Sequence, residues 1–334
     1  MSNVETDPQE TVCTDAPDDG AGAAAAVEVL EPRDVPLGGP RAMTVRRTLP
    51  QRQRSMIGAW CFADHYGPDD VSATGGMDVP PHPHTGLQTV SWLFTGEVEH
   101  RDSLGTHCLV RPGELNLMTG GFGIAHSEVS TPGTTTLHGA QLWVALPQAH
   151  LDAPRQFQHH VPEAVRVEGA TLRVFLGTLA GQASPVETFT PLLGAELVLD
   201  PGATVTLDVD PGFEHGILAD SPGVAVEGTP VARAALAFLP TGRSALRLAN
   251  DGDEPARALL LGGLPFEEEV VMWWNFVGRR HEDIVAAREA WMAHSERFGE
   301  VEGYEGPVQH LPAPVIPGVR IRPRSNASRG PRGS

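Results

Sequence analysis

Two short segments of the chain carry metal-ligand side chains at a spacing of two residues. The first holds His82 and His84 on either side of a proline, and the second holds His126 and Glu128. Side chains two residues apart on an extended strand point to the same side, and Pro83 disfavours helix at His82. Three imidazoles and one carboxylate suit a borderline divalent transition metal and leave one or two coordination positions open. The spacing therefore predicts a metal site, although a single His-x-His pair also occurs by chance on surface strands.

The segments around these pairs have the pattern of β-strands. Residues 88–94 alternate, with Val90, Trp92 and Phe94 on one face, which is the period of a half-buried strand. Further strands are expected in the first half at 97–100, 107–110, 114–118 and 140–146, and in the second half at 172–176, 205–209, 235–239, 245–248 and 258–262. Two β-rich halves of similar length predict an all-β chain of two barrels or sandwiches in tandem.

One segment has a helical period instead. Within residues 281–299, Ile284, Ala287 and Trp291 recur at spacings of three and four, and Gly299 stands where a helix end is expected. We expect a short C-terminal helix that packs on the outside of a barrel.

The composition excludes several classes of protein. The chain of 334 residues suffices for about two domains. Its net charge of −18, from 24 arginines and no lysine against 42 acidic residues, argues against binding to nucleic acid or anionic lipid. Apolar runs are too short for a membrane-spanning helix, and the acidic N-terminus has no basic residue before Arg33, unlike a secretory signal. The scattered Cys13, Cys61 and Cys108 form no Cys-x-x-Cys pair, so a cytoplasmic location is expected.

Both ends of the chain have the composition of disordered tails. Residues 1–27 are rich in Asp, Glu, Gly, Thr and Ala, and the C-terminal end carries five arginines and no acidic residue from Arg320 onward. Such segments lack periodic apolar residues and bury little surface. We expect 1–27 and 307–334 to be solvated tails, although the basic end could also serve as a weak arm for an acidic partner.

The first half also carries an ordered series of longer motifs. These are PHPHTGLQTV at 81–90, GEVEHRDS at 96–103, MTG at 118–120 and GIAHSE at 123–128, with FADHYGP at 62–68 upstream and QLWV at 141–144 downstream. In this series the chain closely resembles the pirin family of the cupin superfamily, strongly from about 58 to 146 and thinly beyond. Several motifs agree in order, so the resemblance does not depend on one short match.

The resemblance implies a bicupin, in which two β-barrels lie face to face and only the N-terminal barrel holds a metal. The implied division is an N-terminal cupin domain at 28–160 and a C-terminal cupin domain at 166–306, between the two tails. One divalent transition metal per chain, most often iron as Fe(II), would be held by His82, His84, His126 and Glu128. In the second half Phe213 stands where the first histidine of a His-x-His pair would be. His215 is therefore expected to be a partly buried histidine with satisfied hydrogen bonds.

Other residues of the first half have expected roles near the ligands. Gln88 stands four residues after His84, where many cupins carry a ligating glutamate. Because pirins use the later glutamate instead, Gln88 is expected to lie beside the ligands or to face the substrate. Two sets stay open. Asp64 with His65 either orients a ligand or caps a turn. The second set is Glu99, His100, Arg101 and Asp102. These residues either form an exposed loop with local ion pairs or support the ligands.

Three classes of function fit these expectations. Some bacterial pirin-like proteins open flavonols such as quercetin with dioxygen, which implies a quercetin 2,3-dioxygenase whose small aromatic substrate chelates the iron while Glu128 acts as ligand and base. Other pirins bind protein partners, including transcription factors, with the redox state of the metal as a switch, which implies a non-enzymatic regulator. A module with a purely structural metal fits less well, because three imidazoles and one carboxylate leave a six-coordinate iron open. None of these classes requires a membrane or direct contact with nucleic acid.

Overall fold

The computed structural model describes residues 27–37 and 43–324, and their secondary structure is mostly β. In these ranges the strands are β1 (Glu28–Leu30), β2 (Arg33–Leu37), β3 (Met43–Leu49), β4 (Trp60–Asp70), β5 (Asp78–His84), β6 (Leu87–Thr95), β7 (Val98–Asp102), β8 (His107–Val110), β9 (Leu115–Thr119), β10 (Ile124–Ser130), β11 (Thr136–Ala145), β12 (Gln156–His160), β13 (Val165–Val167), β14 (Ala170–Leu176), β15 (Thr178–Leu179), β16 (Gln182–Ala183), β17 (Leu192–Leu199), β18 (Thr204–Asp208), β19 (Glu214–Ala219), β20 (Val224–Val226), β21 (Thr229–Pro230), β22 (Leu236–Leu239), β23 (Ala245–Asn250), β24 (Ala256–Gly263), β25 (Val271–Trp273) and β26 (Phe276–Gly278). The helices are a 3-10 helix (Gln148–His150) and α1 (His281–Met292). This mostly β architecture with one C-terminal helix confirms the expected fold class. The expected tail segments 1–26 and 325–334 lie outside the described residues.

The N-terminal barrel consists of two antiparallel sheets. The larger has the strand order β12-β9-β6-β11-β4-β3-β2, and the smaller has the order β5-β10-β7-β8. The alternating segment expected at 88–94 is β6, and β7, β8, β9 and β11 lie within a few residues of their expected positions. The smaller sheet carries the His-x-His pair on β5 and the second pair on the neighbouring strand β10.

The C-terminal half repeats this architecture. Its seven-stranded sheet has the order β1-β22-β19-β24-β17-β14-β13, and its four-stranded sheet has the order β18-β23-β20-β21. The side chains between these sheets are small or aliphatic and include Leu197, Ile217, Leu248 and Leu260. The interior of the second barrel is therefore predominantly apolar.

The two large sheets pack against each other through a shared core. Val90, Trp92 and Phe94 of β6 point into it, which are the residues whose alternation marks this strand in the sequence. The indole Nε1 of Trp92 donates a hydrogen bond of 2.9 Å to Glu196 Oε2 of the second barrel. Burial of each large apolar side chain contributes roughly 1.5–3 kcal/mol. An apolar face, edged by polar contacts, thus holds the barrels together.

Each end of the described chain packs against the barrel of the other half. Strand β1 pairs with β22 of the C-terminal sheet. At the other end α1 buries Ile284, Ala287 and Trp291 in one apolar cluster with strand β10 of the N-terminal barrel. The division into domains at 28–160 and 166–306 remains our proposal. The pairing of β1 with β22 and the packing of α1 beside β10 are contacts between these two domains. No helix of the described ranges is long and apolar enough to cross a membrane.

Two expectations about the C-terminal region need correction. The helix ends at Met292, earlier than expected, because His294 adopts a left-handed backbone conformation with a φ of 52°. The first part of the expected tail from 307 onward is packed, since the Leu311 N–H donates to Pro81 O at 2.8 Å and Ile321 is buried. The apolar residues of this stretch show no period because they contact α1 and the barrel singly, without forming a helix or strand of their own.

Candidate metal centre

Antiparallel pairing of β5 with β10 brings the predicted pairs together. In this pairing His126 lies opposite His82, and Ile124 lies opposite His84. A β-bulge between His126 and Glu128 shifts the register after the third histidine, and bulges re-aim side chains next to functional sites. All three imidazoles are buried. The strand pairing thus delivers the three predicted histidines to one buried location.

The three imidazoles converge. Nε2 of His84 lies 3.1 Å from Nε2 of His126, and the ring centroids of His82 and His126 are 4.3 Å apart. One nitrogen from each of the three rings lies within 4.8 Å of the other two. Two nitrogens bound at right angles to one metal at about 2.1 Å are about 3 Å apart. The spacing between His84 and His126 is therefore suited to a shared ion.

Hydrogen bonding and burial favour the form of these rings that can bind a metal. Nδ1 of His82 donates to the backbone oxygen of Pro80 at 2.7 Å, which leaves a lone pair on Nε2, as in many metal-binding histidines. Burial lowers the pKa of His82 to about 4 and holds the pKa of His84 and of His126 well below the usual range. At neutral pH the three rings are uncharged, which is the form that binds a metal. The donor set thus fits a divalent transition metal.

Glu128 belongs to a second, overlapping triad. Its carboxylate lies with ring nitrogens of His100 and His126, and the three ligand atoms are within 4.8 Å of one another. In the pairing of β7 with β10, His100 is directly opposite Glu128. Ser91 Oγ lies 3.2 Å from Glu128 Oε1 and 3.0 Å from Gln141 Oε1. The four predicted groups therefore fall into two triads that share His126, and one of these triads includes a histidine whose place sequence reasoning left open.

Strand β7 decides between the alternatives for residues 99–102. His100 and Asp102 are only 3% and 2% exposed, whereas the half-buried Glu99 and Arg101 form an ion pair of 2.9 Å on the other side of the strand. The inward-facing members therefore lie on the side of the converging histidines, and the outward-facing members form the local ion pair. The alternation of this five-residue segment was the available signal, because every second side chain of a strand shares a face.

The expectation for Gln88 is wrong. Its Nε2 donates to Thr119 Oγ1 at 3.0 Å, on the face of β6 that also carries Val90 and Trp92 in the core between the barrels. The residue of β6 that contacts Glu128 is Ser91. Positions 88 and 91 lie on opposite faces because their separation is odd.

Neither alternative for Asp64 and His65 is correct. Asp64 accepts two hydrogen bonds from buried Arg47, at 2.7 and 2.8 Å. His65 Nε2 lies 2.7 Å from Asp220 Oδ1 of the second barrel, and His138 Nε2 lies 2.5 Å from the same oxygen. The side-chain contacts of both residues are therefore structural, to Arg47 for Asp64 and to the second barrel for His65.

The group formed by His65, His138 and Asp220 also places potential ligand atoms within 4.8 Å of one another. Its surroundings are cationic, since Arg257 Nη1 lies 3.3 Å from Asp220 Oδ2 and Arg233 Nε donates to the Asp220 backbone oxygen at 2.9 Å. Two imidazoles and a guanidinium already bind this carboxylate, and nearby positive charge disfavours a cation. We interpret this group as a polar link between the barrels.

His215 lies in the second barrel, where the second histidine of a His-x-His pair would be. It is buried, and neither ring nitrogen has a hydrogen-bond partner among the described residues. Burial lowers its pKa to about 4, so the ring is uncharged. The expectation of satisfied hydrogen bonds is therefore wrong, because the interior around β19 is apolar.

Two features border the histidine cluster near His84. Gly86 has a φ of 69°, and a Cβ at this position would overlap the carbonyl oxygen of Val277, so glycine permits the close approach of β26. The Trp143 ring lies edge-on to His84 with 5.3 Å between centroids, and it stacks on Phe62 at 4.0 Å. The cluster therefore has an aromatic wall beside one of its histidines.

Known proteins with the same pattern cover both halves of the chain. The family model described as Pirin matches residues 42–144, and the model described as Pirin C-terminal cupin domain matches 194–299. A Pseudomonas aeruginosa protein provisionally named quercetin 2,3-dioxygenase is 47% identical over 287 residues, which cover 85% of this chain and 89% of that protein. Human pirin is 32% identical over 217 residues, which cover 62% of this chain and 74% of that protein.

Solved structures agree with this assignment. The crystal structure of quercetin 2,3-dioxygenase from Acinetobacter baumannii aligns with a TM-score of 0.83 and 38% identity, covering 89% of this chain and 97% of that one. The two family models match in the order expected for a bicupin, and the motif residues of the first match carry the buried imidazoles described above. The chain belongs to the pirin family, with an N-terminal and a C-terminal cupin domain.

Proposed function

We propose that His82, His84, His126 and Glu128 hold one divalent transition metal, iron as Fe(II), and that the chain is a quercetin 2,3-dioxygenase acting on a flavonol-like substrate. The observation that carries this proposal is the convergence of three buried imidazoles with 3.1 Å between two of their nitrogens. The names of the similar P. aeruginosa and A. baumannii proteins support the substrate class. When bound, iron would supply a Lewis acid for the adjacent hydroxyl and carbonyl oxygens of a flavonol and the redox chemistry that dioxygen requires.

Glu128 is the base for the flavonol hydroxyl proton in this proposal. While Glu128 is ionised, Oε1 accepts a hydrogen bond from the Ser91 hydroxyl, 3.2 Å away. After proton transfer the Glu128 carboxyl donates to Ser91 Oγ, and Ser91 turns its own hydrogen to Gln141 Oε1 at 3.0 Å. A hydroxyl can donate and accept, so Ser91 stabilises both protonation states of the base.

The aromatic wall beside His84 suits a flat polyphenol. Trp143 presents its ring edge-on to His84, and its indole Nε1 has no hydrogen-bond partner among the described residues. An aromatic contact contributes about 0.5–1.5 kcal/mol beyond its buried area. The free N–H would additionally bond to an oxygen of the substrate.

Oxygen uptake with quercetin tests the enzyme assignment. Metal-free protein is reconstituted with Fe(II) under anaerobic conditions, and oxygen consumption is followed after quercetin and oxygen are added. We expect uptake to require Fe(II) and to be lost in His84→Gln. Glu128→Gln should retain part of its iron and lose turnover by about 10²-fold or more. Glu97→Gln removes a carboxylate that pairs with Arg111 at the surface and should match the wild type.

Absence of uptake from protein that stably binds iron would overturn the enzyme assignment. The alternative would then be a non-enzymatic regulator whose metal changes redox state and that binds a protein partner. In that case Glu128→Gln should shift the reduction potential, because a carboxylate ligand stabilises Fe(III) over Fe(II). Unchanged turnover of iron-loaded Glu128→Gln would contradict the role of Glu128 as the base.

A further inference from the structure

A chain of hydrogen bonds runs from Asp102 through His100 to the predicted ligand His126. His100 Nε2 lies 3.2 Å from Asp102 Oδ2, and His100 Nδ1 lies 3.4 Å from His126 Nδ1. The ring of His100 lies against Phe157 with 4.9 Å between centroids. Asp102, His100 and His126 are all buried, so these bonds form in a low-dielectric interior, where a hydrogen bond is stronger than the same bond in water.

Asp102 sets the direction of this chain. Its Oδ1 accepts the backbone N–H groups of Leu104 and Thr106, at 2.9 and 3.1 Å, which fixes the carboxylate. A carboxylate oxygen only accepts, so His100 Nε2 carries a hydrogen, and in the neutral ring His100 Nδ1 then presents a lone pair. In the part of the chain that the structure describes, His126 Nδ1 faces this lone pair and therefore carries the hydrogen of the bond. His126 consequently keeps a lone pair on Nε2, the atom that faces the other histidines.

We propose that His100 and Asp102 are positioning residues that hold His126 in its metal-binding tautomer, an inference that rests on the metal site proposed above. Neither residue binds the ion in this arrangement. They act through the ring of His126, by orienting it and by keeping the hydrogen on Nδ1. Partners that orient a ligating histidine in this way typically change metal affinity by about 10–100-fold when they are removed.

Replacement of Asp102 by asparagine should reverse the direction of both hydrogen bonds, the one between Asp102 and His100 and the one between His100 and His126. The two backbone N–H groups hold the side-chain oxygen of the new residue in the place of Oδ1, so its NH₂ group faces His100 Nε2. His100 must then accept at Nε2 and carry its hydrogen on Nδ1, from which it donates to His126 Nδ1. His126 is driven to the tautomer with hydrogen on Nε2, which cannot ligate through that atom.

The tautomer of His126 in the metal-free protein is the direct measurement. Long-range ¹H–¹⁵N correlation spectra of histidine-labelled protein distinguish a ring nitrogen that carries hydrogen from one with a lone pair, and the His126→Gln spectrum identifies the signal. We expect a lone pair on Nε2 in the wild type and a hydrogen there in Asp102→Asn. Titration with Co(II), followed by its visible absorption, should show an affinity about 10–100-fold lower in Asp102→Asn. Glu99→Gln, which removes one charge on the outer side of the same strand, should change neither measurement.

Two variants of His100 distinguish positioning from metal ligation. His100→Gln keeps an acceptor for the His126 Nδ1–H and should retain Co(II) affinity within about threefold. His100→Leu keeps no acceptor and should lose about 10–100-fold. Circular dichroism and thermal unfolding of each metal-free variant establish that it folds.

Three results would contradict either the positioning role of His100 and Asp102 or the proposed metal site. An unchanged His126 tautomer with unchanged Co(II) affinity in folded Asp102→Asn would overturn the positioning role. A loss of Co(II) binding in His100→Gln as large as that in His84→Gln would make His100 a ligand and would overturn it as well. If the wild type itself bound no Co(II), the proposed metal site would be contradicted, whereas the tautomer shift would still decide the hydrogen-bond chain.

Discussion

His65 Nε2 and Asp220 Oδ1 lie 2.7 Å apart across the boundary between the two barrels, and both side chains are buried. His138 reaches the same oxygen, and Arg257 reaches the other oxygen of this carboxylate at 3.3 Å. The centre of the interface is apolar, so this group supplies a directional contact at its edge. One carboxylate of the second barrel thereby fixes two histidines of the first.

Loss of the Asp220 charge should destabilise the chain. We expect Asp220→Asn to lower the free energy of unfolding by about 1.5–3 kcal/mol, because buried hydrogen bonds to a charged group contribute on this order. Urea unfolding at pH 7 measures the change. Asp253→Asn at an exposed position should stay within about 0.5 kcal/mol of the wild type. Equal stability of the two variants would contradict the linking role.

The same contact predicts lower stability in acid. Burial alone would raise the pKa of Asp220, but hydrogen bonds from His138 and His65 hold it well below its ordinary range. Burial lowers the pKa of His65, outweighing the hydrogen bond to Asp220 that raises it. The unfolded state therefore binds more protons than the folded state below about pH 6.5 for His65 and below about pH 4 for Asp220. The stabilisation is present above these values and is lost as the pH falls.

The contact of Asp220 with His65 and His138 should also lose stability between pH 7 and pH 5. We expect protonation of His65 to cause that loss in this interval. The urea midpoint of the wild type should fall over this interval, and His65→Gln should show a smaller fall, because glutamine does not titrate. An equal or larger fall in the variant would contradict this assignment.

Removal of the packed C-terminal segment should lower the thermal midpoint. Ala313 and Ile321 are buried against α1 and the barrel, and Arg324 exchanges two backbone hydrogen bonds with Val270, at 2.7 and 2.9 Å. Burial of one isoleucine contributes roughly 1.5–3 kcal/mol, so deletion of residues 312–334 should lower the Tm by at least about 3 °C relative to deletion of 325–334. Equal midpoints would show that this packing contributes nothing to stability.

The alternation of side chains along a strand predicts which residues share a face, but it does not predict which strands pair with it. The alternation of Val90, Trp92 and Phe94 correctly predicts β6 and its apolar face, since these side chains form the core between the barrels. The same rule applied to 98–102 places His100 and Asp102 inside, but a short charged strand has the composition of a loop. Hydrophobicity alone therefore could not decide between the two alternatives.

Strand pairing is the part that the residues alone could not predict. The contact of His65 with Asp220 joins positions 155 residues apart, in different barrels. The position of Glu128 opposite His100 depends on the register of β7 against β10. Motif spacing predicts that the histidine pairs face a common side, because that is a property of single strands, whereas these partners follow from how the sheet assembles.

The hydroxyl of Ser91 should matter for turnover more than for iron binding. Ser91→Ala removes the donor to ionised Glu128 and the acceptor for its protonated form, so we expect kcat with quercetin to fall about tenfold while iron content is kept. Ser127→Ala is the matched control, because the Ser127 hydroxyl is buried without a hydrogen-bond partner among the described residues. Equal kcat for the two variants would contradict the role of Ser91.

Anomalous diffraction at the iron edge, from crystals reconstituted with Fe(II) without oxygen, tests the metal site most directly. We expect one peak per chain, with a carboxylate oxygen of Glu128 and the Nε2 atoms of His82, His84 and His126 at roughly 2.0–2.3 Å. A peak between the side chains that link the barrels, or iron-containing crystals without a peak among the three converging histidines, would contradict the proposed centre.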